Sequence, residues 1–173
     1  MITAHPSDSP RARRGFTLAE LVVVMVVIAT LAAIAVPRFA SAGASYRARG
    51  SAERIADAIR DAASTARARS SMVRVRLNAG ADNFNAAVLS PLEYIALFST
   101  TDRPFEADLT RTDFADASSA LDIDGFGNFS TSAVFALKVG DQTRCVIVDA
   151  VEGSIRTGTI ADAAAFKAGS NYR

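Results

Sequence analysis

The sequence predicts an α+β fold, with one long N-terminal helix packed on an antiparallel β-sheet head. Three observations carry that expectation. An almost wholly apolar run from Phe16 to Val36 has the length and composition of a helix in an apolar surrounding. Behind it, Ala52, Ile55, Ala56, Ile59, Ala62, Ala63 and Ala66 recur at three- and four-residue spacing, the stripe of an amphipathic helix. From Ser71 the apolar period changes to two, and turn residues punctuate the chain.

The first element is the apolar run. Phe16 to Val36 is 21 residues, of which Thr17, Glu20 and Thr30 are polar. About 20 residues of helix cross a bilayer core, so residues 16–37 are expected to span a membrane. Arg11, Arg13 and Arg14 precede the run against a single Asp8. Basic residues before a first apolar segment hold the N-terminus in the cytoplasm and send the remainder across. A secretory signal peptide is one alternative, with Ala33 to Ala35 as a weak small-x-small cleavage site. The run is long for such a signal, and Glu20 interrupts it. An ordinary signal anchor is the other alternative. An acid inside a membrane segment costs about 2.5–3.5 kcal/mol on the mildest scale, so Glu20 marks a functional site.

Gly15-Phe16-Thr17-Leu18-Ala19-Glu20, followed by Leu21-Val22-Val23-Val24, resembles the class III signal of type IV pilins and type II secretion pseudopilins. Phe16 and Glu20 stand where that family has its new N-terminal residue and its acid, and Pro37 stands at the family's helix proline, expected to kink the helix. The resemblance covers residues 11–40 closely and the remainder loosely. It implies a leader of residues 1–15, removed by a prepilin peptidase between Gly15 and Phe16, with methylation of the Phe16 amine. It implies other pilin or pseudopilin subunits and an inner-membrane assembly platform as further partners. It also implies that Glu20 pairs with the Phe16 amine of a neighbouring subunit, which would offset the desolvation of both charges. The plainer reading of Glu20 is an acid suited to a helix N-terminus. The processed protein would sit in the inner membrane as a single-pass chain with a periplasmic head, then in a periplasmic or surface filament.

The chain has 173 residues and a net charge of +1. Removing the leader would leave 158 residues, 16 basic and 17 acidic side chains, and a net charge of −1. That balance gives no argument for nucleic acid as the main partner. The charges are segregated: Arg38 to Arg69 holds seven arginines against three acids, whereas Asp82 to Asp124 holds nine acids against Arg103 and Arg111. Such asymmetry suits packing between subunits, or a solvated surface. Cys145 is the one cysteine, so no intramolecular disulfide can form, and its apolar surroundings in the sequence read as a buried small hydrophobe. Many major pilins carry a paired-cysteine loop; without one, the resemblance leans toward a pseudopilin or a minor pilin.

The amphipathic stalk is expected over residues 38–70 and the β head over residues 71–160. Val73, Val75 and Leu77 alternate with Arg74 and Arg76 as a half-buried strand, followed by a turn at residues 78–83. Residues 86–89 and 93–98 read as strands, residues 99–120 as a long polar loop. Residues 121–123 and 128–129 flank an Asp124-Gly125-Phe126-Gly127 turn. Three more strands follow at residues 133–139, 144–151 and 154–157, joined by turns at Gly140-Asp141 and Glu152-Gly153. Residues 161–173 read as a loose tail or short helix. The order resembles the H-type minor pseudopilins and related fimbrial minor pilins, whose endings Asp149 to Arg156 loosely fit.

No catalytic constellation is present, and the chain is not expected to be an enzyme or to need a cofactor. His5, the one histidine, lies in the leader, so Cys145 has no Cys-His partnership in the processed chain. No phosphate loop of the GxxxxGK type occurs. Asp122 to Asn128 partly resembles a calcium loop, but the position of an EF-hand's bidentate Glu falls at Ala133; a plain turn is the expectation, and no metal is assigned. A DNA-binding minor pilin is the second functional class, with Arg144, Arg156, Lys167 and Arg173 as sparse candidates.

Overall fold

The computed structural model describes residues 16–78, 82–89, 91–101, 107–116 and 119–172. It contains two compact units, Met1–Phe39 and Ala40–Arg173. The leader, Gly15, Arg103 and Arg173 lie outside the described residues. Helix α1, Leu18–Arg69, contributes to both units.

In the first unit every described residue is exposed apart from the half-buried Ala35. One 18-residue window of α1 reaches a mean hydropathy of 2.7 with none of it buried, so by length and composition the helix can cross a membrane. The hydroxyl of Thr30 donates to the carbonyl of Val27 at 2.8 Å, which satisfies it within the helix.

In the second unit α1 buries the predicted stripe from Ala52 to Ala66, extended N-terminally by Ala44, Ala48 and Ser51. The helix stops in a left-handed cap. Ser70 has φ +48°; its N–H donates to Arg67 at 3.3 Å and that of Ser71 to Ala66 at 3.2 Å, the paired bonds of a Schellman motif.

The head is two four-stranded antiparallel sheets. The first runs in the order β3 (Leu92–Ser99), β2 (Asn83–Leu89), β1 (Val73–Asn78), β5 (Leu121–Ile123). The second runs β4 (Asp108–Phe114), β6 (Ala133–Val139), β7 (Gln142–Asp149), β8 (Ser154–Gly158). One core joins the α1 stripe to Val73, Val75, Phe84 and Val88 of the first sheet and Phe135, Leu137, Val146 and Val148 of the second. Strand β1 alternates because its outward positions are polar; Arg74 and Asp122, opposite each other on β1 and β5, make two bonds of 2.6 Å. The second sheet is covered on both faces. Helix α2, Ile160–Ala168, lays Ala163 and Phe166 over Val134, Cys145 and Ile147. Hence β6 and β7 read as near-continuous apolar runs. Burial pushes the Cys145 thiol up, with the Asp162 charge adding to it.

Two sequence expectations are corrected, and a third, residues 161–173 as a loose tail or short helix, takes its helical alternative. The 99–120 loop contains β4, an edge strand in which Leu109 is buried but Thr110, Arg111, Thr112 and Asp113 hide the pattern. The strand expected at residues 128–129 is a single bridge, Phe129 to Ile123. The tail at residues 161–173 holds most of α2, started by a reciprocal cap between Thr159 and Asp162. After it, the Asn171 side-chain amide donates to buried Asp149 at 3.1 Å and the Asn171 main-chain carbonyl accepts from the Ser132 hydroxyl at 2.9 Å. The other oxygen of Asp149 accepts from the amides of Val151 and Glu152, both at 3.0 Å, and so shapes the β7–β8 turn.

The turn after β5 is held by Asp124, which accepts the N–H of Phe126 at 2.9 Å and of Asn128 at 2.8 Å, with the Asn128 amide at 3.0 Å. A Cβ on Gly125 would stand 2.8 Å from the Ser70 carbonyl carbon, so the turn lies directly on the end of α1. Gly125→Ala is therefore expected to destabilise the fold by ~1–3 kcal/mol, the usual cost of forced overpacking. Ser70→Gly removes the side-chain penalty of the left-handed region and is expected to stabilise by about 1 kcal/mol or less. Urea melts of the full chain in detergent micelles measure both; a neutral Gly125→Ala would contradict the close approach.

Three carboxyl groups sit below the usual aspartate range in the fold. Asp124 is lowered by the Asn128 backbone and side-chain bonds, against burial. Asp162 is lowered by its Thr159 bonds. For Asp113 burial is the largest single influence and raises it, but Lys167 and Arg111 together outweigh burial. A carboxyl depressed in the fold contributes stability above its unfolded pKa, and that contribution disappears as pH falls through the folded value. The urea midpoint is expected to stay level from neutral pH to about 5 and to drop below about 4. Asp124→Ala should flatten that drop, and an unchanged profile would show that the turn bonds do not favour the ionised form.

Candidate functional site

The first described residues build a compact polar cluster at the head of an apolar helix. Thr17 is the N-cap of α1: its carbonyl accepts the N–H of Leu21 at 3.2 Å. Three residues on, the Glu20 N–H donates to the Thr17 hydroxyl oxygen at 3.2 Å. The Glu20 carboxylate reaches back, and its Oε2 accepts both the Thr17 N–H at 3.0 Å and the Thr17 hydroxyl at 3.1 Å. This is a capping box. It closes two backbone donors that would otherwise be bare at the helix start, and it holds the carboxylate against Thr17, the residue after the 84%-exposed Phe16.

The structure thus ties Glu20 to Thr17, a residue to which the sequence reading gave no role. The signal was present, since Thr-x-x-Glu ahead of an apolar run is the capping-box pattern. Pro37 lies inside α1, whose range continues on both sides of it; lacking an N–H, it leaves one carbonyl of the preceding turn without its helical donor.

The remaining candidates have structural occupations. Asp122 is held by Arg74 and Asp124 by its own turn, and the described residues contain no cluster of three or more His, Cys, Asp or Glu placed to hold a metal ion. Of the basic residues weighed for DNA, Lys167 bonds Asp113. Arg156 lies over the Phe166 ring at 5.7 Å from its centroid and 3.9 Å from Asp149. Lys167 and Arg156 are thus engaged in contacts within the head.

Residues 10–36 match the family model described as the prokaryotic N-terminal methylation motif. No curated protein matches the chain. Among solved structures, the type IV minor pilin FimU of Pseudomonas aeruginosa is similar in fold, with a TM-score of 0.50 and 14% identity over 66% of this chain and 90% of that one. The start of the chain thus carries a prokaryotic N-terminal methylation motif, and the long apolar helix packed on antiparallel sheets behind it shares the fold of a type IV minor pilin.

Proposed function

We propose that the chain is a structural subunit of a type II secretion pseudopilus or type IV pilus, of the minor pseudopilin or minor pilin kind, and not an enzyme. One observation carries the reading: Phe16 to Glu20 stand at the head of a helix segment whose apolar side chains are exposed, Ala35 alone being half-buried, so its burial has to come from lipid or from other subunits. In this reading a prepilin peptidase cuts between Gly15 and Phe16 and the Phe16 amine is methylated. The chain first rests in the inner membrane, N-terminus cytoplasmic and head periplasmic. An assembly platform then adds it to a filament. Pro37 gives α1 a point at which it bends during that transfer. The secretion reading is favoured over DNA uptake because Lys167 and Arg156 are engaged within the head.

Glu20 is the assembly residue. Both Thr17 donors meet its Oε2, which leaves Oε1 to receive the methylated Phe16 amine of a neighbour. Thr17 keeps the carboxylate hydrogen-bonded in lipid before that neighbour arrives, which lowers the cost of holding an unpaired charge there.

Processing is read by intact mass. Mature protein is expected to begin at Phe16, and Gly15→Leu is expected to leave the full precursor in the membrane; a mature chain beginning elsewhere would overturn the assignment. Assembly is read separately. Glu20→Ala is expected to be cut normally yet to enter filaments at least about tenfold less well, as for loss of a desolvated charge partner. Thr17→Val should fall between Glu20→Ala and the parent. Equal crosslinking of Glu20→Ala and parent to neighbouring subunits would reduce the acid to a helix cap.

A further inference from the structure

Strand β3 is the outer strand of the first sheet: it pairs with β2, and no other described residue pairs with its far side. It is eight residues long, and Leu92, Tyr94 and Leu97 are 68%, 60% and 68% exposed. The ladder shows why all three share one face. Ala86 lies opposite Ala96 but Ala87 opposite Tyr94, so Ile95 is an inserted residue. Without that bulge Leu97 would turn toward α1. With it, Leu92, Tyr94 and Leu97 line up beside Leu89, Ala87 and Asn85 on the outer face, while Glu93 and Ala96 turn inward. Glu93 accordingly bonds Arg69 of α1. A long, apolar, unpaired edge is a hazard in a free protein unless something adds to it.

The inner side of the same edge opens on a groove of about 570 Å³ between β3 and α1. Ile95 and Ala96 form one wall; Glu53, Asp57 and Asp61, one helical turn apart, line the other with Arg54. Glu53 and Asp57 bond Arg49 and Arg60 at 2.8 and 2.6 Å, and the Asp61 carboxylate has no ion-pair partner among the described residues. The edge therefore has, toward the helix, three carboxylates against Arg54, two of them already met by Arg49 and Arg60 and Asp61 left for a further cation; toward solvent it has an apolar side, with main-chain donors and acceptors between them.

We propose that β3 accepts an added strand from a partner protein: an extended segment with Lys or Arg at alternate positions and apolar residues between them. Its main chain extends the first sheet. Its cations point into the groove toward Asp57 and Asp61, and its apolar side chains continue the face of Leu92, Tyr94 and Leu97. Period two in the partner follows from the two faces of a strand having different chemistry. An acidic segment is repelled, and a helix leaves the edge amides unpaired.

The probe is a labelled peptide of about eight residues, the usual strand length, alternating Arg and Val. It is titrated against the full chain in detergent micelles, with empty micelles as the blank. Saturable binding is expected, about tenfold or more tighter than for the matching Glu–Val peptide and weakening with salt. The double variant Asp57→Asn, Asp61→Asn is expected to lose about tenfold, and Tyr94→Lys a similar amount. N-methylation of alternate peptide amides, which removes edge pairing and keeps the side chains, is expected to abolish binding. Full binding by the methylated peptide, by the double variant or by the Glu–Val peptide overturns the proposal. So does a disulfide-linked dimer of the Leu97→Cys variant forming in place of peptide binding, which would make a second copy the occupant.

Discussion

The head depends on how closely α1 lies against its sheets. From Ala44 to Ala66 the buried face of the helix is alanine at most positions, with Ile55 and Ile59 as the two large side chains. Alanine costs no side-chain entropy and keeps the helix well formed. It also lets the backbone approach, so side chains from β1 and β2 on one sheet and β6 and β7 on the other fill the space around one helix face. A larger residue at Ala52, Ala56 or Ala62 would push the sheets apart. The bulk of the core is therefore supplied by the strands, above all Phe84, Phe135, Leu121 and Leu137, and the helix supplies the surface against which they are gauged.

That division of labour explains what was legible. The α1 stripe and the strands β1, β6, β7 and β8 announce themselves by period and by turn residues at their joints. β4 does not, because an edge strand facing solvent needs few apolar residues; Leu109 and Phe114 are all it shows. The grouping of strands into two sheets rests on distant partners. Asp82, itself at φ +47°, accepts the Leu109 N–H at 2.8 Å and ties the start of β2 to β4 across 27 residues. Nothing local in the sequence encodes that bond. The bulge at Ile95 is equally silent, because Leu-Glu-Tyr-Ile-Ala-Leu reads as a plain strand until its partner fixes the register.

The N-terminal site was the most legible part, and for a physical reason. Charge in an apolar helix is costly enough that a lone acid needs a purpose, and the residues around Glu20 supplied one. What the motif did not disclose was local chemistry. Thr17 turns the carboxylate into part of a helix cap, so the group proposed to meet a partner is also the one that starts the helix.

The tether between Asp149 and Asn171 makes the last described residues part of the second sheet. Asp149 is fully buried at the end of β7; one of its oxygens shapes the β7–β8 turn, and the other meets the Asn171 amide, 22 residues further along the chain, with the Arg156 guanidinium 3.9 Å away. A buried carboxylate is costly unless its hydrogen bonds are made. The short stretch after α2 therefore works as a latch: it lies at the margin of the fold, yet its one amide completes the solvation of a charge in the core.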